Sequence, residues 1–422
     1  MKSIVRAAFA AALMSSAAAL LAPCPVLAAD KPSREVAKPL SDAQKAMQAG
    51  DYATALTDIK TAQAATDRTP YDDYLINSFL AQVYIGQKDY ASADAPLEAA
   101  ADSPAIPDDQ KKSTYSNAFQ LAMFAKHYQK AISYGQLLQG MNALDYKGDA
   151  DMAIAYYFLK DSANAQKYAQ QSIDGAKAAG QTPDENMMKI VMNGALQQKD
   201  SAGVQTSLEN LAQQYNQSDS WGKLADLVLN TKGMQDIDEL YLLRFKSMFP
   251  DVMVGQDYLA LASVANTKGY ATEAYNVMQK GIAAGKMTAA QAGPLYAQAK
   301  SGASIDEHSL GQIAASAQKS KTGEQDIKLA EDYWGYGRFA DAEAAARRAI
   351  SKGGMKDPNE GPMLLGMLLV MQGKYDEAVQ TFSQVHGSAA RMADAHLWTI
   401  YAQTQAKKAG GAAQTPASAP SH

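Results

Sequence analysis

One phrase recurs along this chain at a nearly constant interval, and that periodicity limits its possible folds more than any other feature. It is clearest at Gly373-Lys374-Tyr375-Asp376-Glu377-Ala378. Earlier copies read Gly50-Asp51-Tyr52-Ala53-Thr54-Ala55, Lys88-Asp89-Tyr90-Ala91-Ser92-Ala93 and Lys126-His127-Tyr128-Gln129-Lys130-Ala131. Three more are Lys160-Asp161-Ser162-Ala163-Asn164-Ala165, Gly269-Tyr270-Ala271-Thr272-Glu273-Ala274 and Gly337-Arg338-Phe339-Ala340-Asp341-Ala342. The closing residues stand at 55, 93, 131, 165, 274, 342 and 378, with a weaker copy ending at Val204. Successive spacings are 34–39 residues, except for two of 70 and 68. Each of those is close to a double period and implies one worn copy, near residues 239 and 308. The mean unit is then about 36 residues, the length of one helical hairpin in a stacked array. Ten units are expected.

Each unit carries the parts of such a hairpin. In the unit ending at Ala378 the first helix runs through Met363, Leu364, Leu365 and Leu369, and Gly373 ends it by accepting positive φ. Tyr375 packs between the helices, and Ala378, Phe382 and Val385 follow at helical spacing on one face of the second. The small residue recurs because two helices cross there and a larger side chain would part them. The preceding unit repeats the pattern with Leu329, Ala330, Tyr333, Gly337, Phe339, Ala342, Ala346 and Ala349. The second has Leu80, Ala81, Tyr84, Tyr90, Ala93, Leu97 and Ala100.

These residues resemble the tetratricopeptide repeat family, whose signature is Leu-Gly/Ala-x-x-Tyr followed by Gly-x-Tyr-x-x-Ala. The resemblance spans residues 36–405 and is strong for the units ending at Ala55, Ala93, Ala342 and Ala378. It weakens at 221–250 and 287–320, where the glycine or the aromatic is missing. It implies an all-α, right-handed superhelical solenoid of about ten hairpins, with residues 389–408 forming a helix that seals the open end. On this reading 39–215 form an N-terminal array, 216–320 are divergent repeat-like units, and 321–408 hold the C-terminal repeats and capping helix. An irregular helical bundle would have to produce seven phrases in register by chance.

The ends are read differently. Lys2 and Arg6, an alanine-rich apolar run over 7–22, and Val26-Leu27-Ala28-Ala29-Asp30 together make a secretory signal over residues 1–29. The run is short for a membrane anchor, and the small residues at its exit favour cleavage. Periplasmic export is therefore expected. Cys24, the single cysteine, lies inside that signal between Pro23 and Pro25. The mature chain then has no thiol, no disulfide and no cysteine-based metal site. Residues 30–38 read as a flexible leader and 409–422 as a disordered Ala/Gly/Ser/Pro tail. No transmembrane segment is expected after signal removal.

Catalytic chemistry finds no foothold. The five histidines, at 127, 308, 386, 396 and 422, form no pair at ligand spacing. Phosphate-binding glycine loops and the Gly-x-Ser-x-Gly elbow are absent. Ser316-Ala317-Gln318-Lys319 and Lys321-Thr322-Gly323 match two motifs of penicillin-recognising enzymes, but here they are adjacent and read as a solvated helix end. No cofactor or metal is expected. The net charge of −5 becomes −7 once Lys2 and Arg6 leave with the signal, and no basic stripe appears, so nucleic acid is excluded as a partner.

What remains is binding along the wall made by the first helices. The candidates there are Met123, Phe124, Tyr157, Phe158, Lys189, Asn193, Glu331, Trp334 and Met367. Met123, Phe124, Tyr157 and Phe158 make either an aromatic patch for peptide side chains or ordinary packing between hairpins. Lys189 and Asn193 resemble the terminal-carboxylate clamp of chaperone-binding repeats, which also needs an asparagine where this chain has Ala225. Beyond the general family, three stretches look like exported repeat proteins encoded with TonB–ExbB systems. They are Ser220-Trp221-Gly222-Lys223-Leu224-Ala225, residues 278–286 and residues 349–358. The resemblance implies a non-enzymatic periplasmic scaffold beside outer-membrane transport, with a protein or extended peptide of the cell envelope as partner. An assembly factor for outer-membrane protein or exopolysaccharide export is the first rival, and an envelope hydrolase using inner-wall carboxylates is the second.

Overall fold

A computed structural model describes residues 31–413. The expected signal, Cys24 and residues 414–422 lie outside them. The described residues contain 21 helices and no strand, and they fall into two compact units, divided between residues 199 and 200. The segments read from sequence as 216–320 and 321–408 thus share one unit.

The N-terminal unit stacks four hairpins and a ninth helix. The hairpins are α1 (Arg34–Gln48) with α2 (Tyr52–Gln63), α3 (Pro70–Gly86) with α4 (Tyr90–Ala101), α5 (Asp108–Ala125) with α6 (Tyr128–Gly140), and α7 (Tyr146–Phe158) with α8 (Ser162–Ala178). The ninth helix is α9 (Glu185–Gln197). Helix α1 begins inside the expected leader because Val36 is fully buried, and the Ser33 amide donates to Asp72 at 2.8 Å.

The recurring phrase is the turn inside each hairpin. Its first residue is left-handed: φ is +76° at Gly50, +61° at Lys88, +63° at Lys126 and +62° at Lys160. The next amide folds back five residues, from Asp89 to the Tyr84 carbonyl at 2.8 Å and from Asp161 to Tyr156 at 3.0 Å. That is the Schellman closure, which satisfies carbonyls the first helix would leave bare. The aspartate then opens the second helix, with Asp51 accepting from the Thr54 amide and Asp89 from Ser92. Four residues on, Ala55, Ala93 and Ala131 have no exposed surface, as the crossing requires.

The C-terminal unit uses the same turn, with Gly269, Gly337 and Gly373 left-handed and Ala274, Ala342 and Ala378 buried. It opens with α10 (Ser201–Tyr215), then pairs α11 (Ser218–Leu229) with α12 (Asp236–Ser247) and α13 (Gly255–Thr267) with α14 (Ala271–Ala283). The worn copy expected near 239 is therefore a genuine hairpin. The one expected near 308 is not. In its place stand a single turn, α15 (Ala289–Ala292), and one 26-residue helix, α16 (Pro294–Lys319). No left-handed residue or aspartate cap interrupts 295–319, and Gly302 lies so close on Ala271 that any Cβ would meet the Ala271 Cβ at 2.5 Å. Next come α17 (Glu324–Gly335) with α18 (Phe339–Lys352), α19 (Glu360–Met371) with α20 (Tyr375–Phe382), and finally α21 (Ala389–Ala413), which runs on into the expected tail.

Sealing an open end is not what α21 does. It returns to the start of its own unit and packs on α10, α11 and α12 as well as α20. Trp398 and Tyr401 meet Phe245 with ring centroids 5.0 and 5.5 Å apart, and Tyr401 meets Trp221 at 5.2 Å. Arg391 pairs with buried Asp238, 153 residues away in sequence. Gln405 and the Trp221 indole both donate to Asn216 Oδ1, at 2.9 and 2.8 Å. Such closure is foreign to a linear array, in which each repeat touches only its neighbours. Phe245→Ala should therefore cost about 3–5 kcal/mol. Hydrogen exchange should speed up in α21 as much as in α11 and α12; acceleration confined to α11–α14 would contradict the closed arrangement.

Candidate functional site

Counting back from each left-handed residue puts the first helices of the N-terminal unit in register. Three residues before it stand Met47, Ile85, Met123, Tyr157 and Leu196. Every one is apolar, and they grow more exposed along the stack. Met47, Ile85 and Met123 are half-buried, whereas Tyr157 is 44% exposed and Leu196 53%. Leu137, Met141, Phe158 and Leu159 are also exposed. Six of the ten exposed large apolar side chains among the described residues thus fall between residues 137 and 196. Lone exposed apolar residues carry no message, but a concentration of them on one stretch does.

The aromatic candidates divide between packing and exposure. Phe124 lies edge-on to Tyr90 at 4.9 Å, and Phe158 stacks flat on Tyr128 at 4.8 Å with the planes 6° apart. In both cases the end of a first helix rests on the phrase tyrosine of the preceding hairpin. The same joint appears at Gly86, where a Cβ would fall 2.5 Å from the Tyr52 ring. Tyr157 meets Phe158 edge-on at 5.8 Å and stands at the surface.

Lys189 is exposed and pairs with Glu185 on its own helix at 2.5 Å, and Asn193 is half-buried. The clamp residue they would need corresponds to Ala225, which is fully buried inside α11. Ser316 and Lys319 sit at the end of α16, where the serine hydroxyl donates to Gln325 at 2.8 Å.

Glu331, Trp334 and Met367 do not belong to any open wall. Glu331 and Met367 have no exposed surface and Trp334 only 9%. Helical spacing placed them on a wall, but the closure of this unit turns that face inward. There Arg244 donates twice to Glu273, at 2.8 and 2.6 Å, and lies 2.5 Å from Glu331. Its guanidinium sits 4.6 Å over the Trp334 ring, and Tyr241 donates to Glu331 at 3.3 Å. Burial opposes the charge on Arg244, yet Glu273 and Glu331 more than offset it and hold its pKa above the ordinary value. Sequence reasoning missed this centre because its members come from three hairpins and share no local motif.

The surroundings are acidic and poorly solvated. Burial, with Asp306 and Glu331 nearby, pushes Asp332 up to about 7. Burial raises Glu360, and burial with Asp238 beside it raises Asp394 well above the carboxylate range. His396 is raised by its bond to Glu209, 3.3 Å away, against the effect of burial. All four shifts act in one direction. A group that binds its proton more tightly when folded stabilises the fold below its unfolded pKa and loses that contribution as pH rises through the folded one.

The tetratricopeptide repeat family matches residues 327–385 and 363–419, which takes in most of α17 and all of α18 to α21. The turn and the buried crossing residue found in that part of the chain recur at residues 34–283. The chain is also similar to three solved structures. The APC/C hetero-tetramer Cut9–Hcn1 shares 14% identity, over 94% of this chain and 72% of that one, with a TM-score of 0.24. The P58(IPK) TPR domain shares 12%, over 89% and 99%, with a TM-score of 0.23. Naa15/Naa10 bound to HypK-THB shares 10%, over 90% and 76%, with a TM-score of 0.27. At those scores no common arrangement is drawn from them. No curated protein matches the chain.

The three tryptophans, at 221, 334 and 398, all lie in the C-terminal unit, so intrinsic tryptophan fluorescence follows that unit. Its unfolding should be harder at pH 5 than at pH 8 by roughly 1–3 kcal/mol, and Asp332→Asn should shrink the difference. Greater stability at pH 8 would contradict the direction of these shifts.

Proposed function

We propose that this chain is a non-enzymatic scaffold of the bacterial periplasm that binds a protein or extended peptide on the first-helix face of its N-terminal unit. One observation carries the binding face: the apolar stripe ending in the exposed Tyr157 and Leu196, with Phe158 and Leu159 also exposed at the end of the same first helix as Tyr157. Large apolar side chains held in solvent by rigid helices favour a partner that covers them, and aromatic residues so placed commonly dominate binding energy. Support for export is the basic start, short apolar run and small-residue exit of residues 1–29. No helix among the described residues is long and apolar enough to cross a membrane. The TonB–ExbB reading, a role beside outer-membrane transport, rests on the stretches at 220–225, 278–286 and 349–358.

The test is affinity capture with crosslinking from a Gram-negative envelope extract, run in parallel with the Tyr157→Ser/Leu196→Ser variant. The wild type should recover TonB-system components. The variant should lose at least tenfold in recovery, about 1.4 kcal/mol. Undiminished capture by the variant would refute the face. Recovery of barrel-assembly or polysaccharide-export proteins instead would replace the transport role with the assembly one.

A further inference from the structure

A second register runs beside the apolar stripe. Six residues before the left-handed turn, the first helices of the N-terminal unit carry Gln44, Gln82, Gln120, Ile154 and Asn193. Four of the five are side-chain amides, and all five are half-buried. Three residues separate this register from the apolar one, so the two lie side by side on one helix face. Gln120 donates to Asp151 at 3.3 Å, whereas the side-chain amides of Gln44, Gln82 and Asn193 make no hydrogen bond with any described residue. Folding alone gives no reason to hold unbonded amides at a fixed position in successive hairpins.

We propose that these amides form a ladder that reads the main chain of an extended, uncharged polypeptide segment, whose apolar side chains lie on the Tyr157 and Leu196 stripe. A primary amide offers a donor and an acceptor side by side, which match the N–H and C=O of an extended backbone. Repetition once per hairpin lets such pairing continue along a strand whatever its side chains are. Neither register contains a charged residue. A charged side chain docked on either register would shed its water against uncharged side chains, a net cost. The occupant is therefore a neutral stretch with apolar side chains, such as an unfolded strand-forming segment.

This inference rests on the binding face proposed above and adds what that face recognises. The test uses the full-length protein and a capped peptide of about ten residues alternating leucine and threonine, long enough when extended to reach neighbouring hairpins. A second peptide has the same side chains but N-methyl groups on alternate residues, which remove backbone donors along one edge. A third replaces the threonines with glutamate. The first should bind, and the other two should bind at least tenfold more weakly. Gln44→Leu/Gln82→Leu, which keeps bulk but removes the amides, should lose at least tenfold for the first peptide, with the helical spectrum unchanged. Equal binding of the N-methylated peptide, or full affinity in the leucine variant, would overturn the ladder while leaving the apolar face intact. No binding of the first peptide to the wild type would overturn it as well. The face itself fails separately, if Tyr157→Ser/Leu196→Ser leaves envelope capture unchanged.

Discussion

Everything in this molecule depends on how two helices are made to cross at an alanine with no room to spare. The turn supplies the geometry: one left-handed residue and an amide folded back five positions aim the second helix across the first. Ala55, Ala93, Ala131, Ala165, Ala274, Ala342 and Ala378 then sit at the crossings with at most 1% of their surface exposed. A single hairpin made this way still has an apolar side, and stacking the next hairpin is what covers it. The left-handed residue and the side-chain cap vary independently: aspartate caps the next helix after Gly50 as well as after Lys88 and Lys160, and no side chain caps it after Lys126, Gly269, Gly337 or Gly373.

The same module serves two ends. In the N-terminal unit the first-helix face keeps Tyr157 and Leu196 in solvent, while Met47, Ile85 and Met123 are half-buried. In the C-terminal unit the corresponding positions are consumed. Trp334 covers Arg244, Glu331 pairs with it, and α21 folds back onto α10–α12 through Trp398, Tyr401 and Arg391. Buried ion pairs stabilise little in net terms, but losing one partner leaves a stranded charge, so such pairs fix which helices meet. An interior this rich in carboxylates must keep some of them protonated, which couples the unit to pH.

The period was legible because each turn writes itself locally, within about six residues, from one left-handed position to one buried alanine. So were the all-helical class and most hairpin boundaries. The fusion of the eighth place into α16 was not, since absence of a turn signal at 295–319 looks the same as a decayed one. The inward fate of Glu331, Trp334 and Met367 was also hidden. Helical spacing says which residues share a face, yet only contacts such as Arg391 to Asp238, 153 positions apart, say whether that face meets water or protein. Phe124 and Phe158 show the converse: their joints with Tyr90 and Tyr128 were one of the two readings the sequence allowed, and Tyr157 beside them stands exposed.

Recognition on the first-helix face is the central claim, and site-specific photo-crosslinking tests it most directly. A benzophenone side chain placed at Tyr157 is compared with one at Thr57, an exposed position on the second helix α2. In envelope extract the probe at 157 should join the protein to a discrete partner, and the probe at 57 should not. Equal crosslinking at both positions, or crosslinking at 57 alone, would contradict the account.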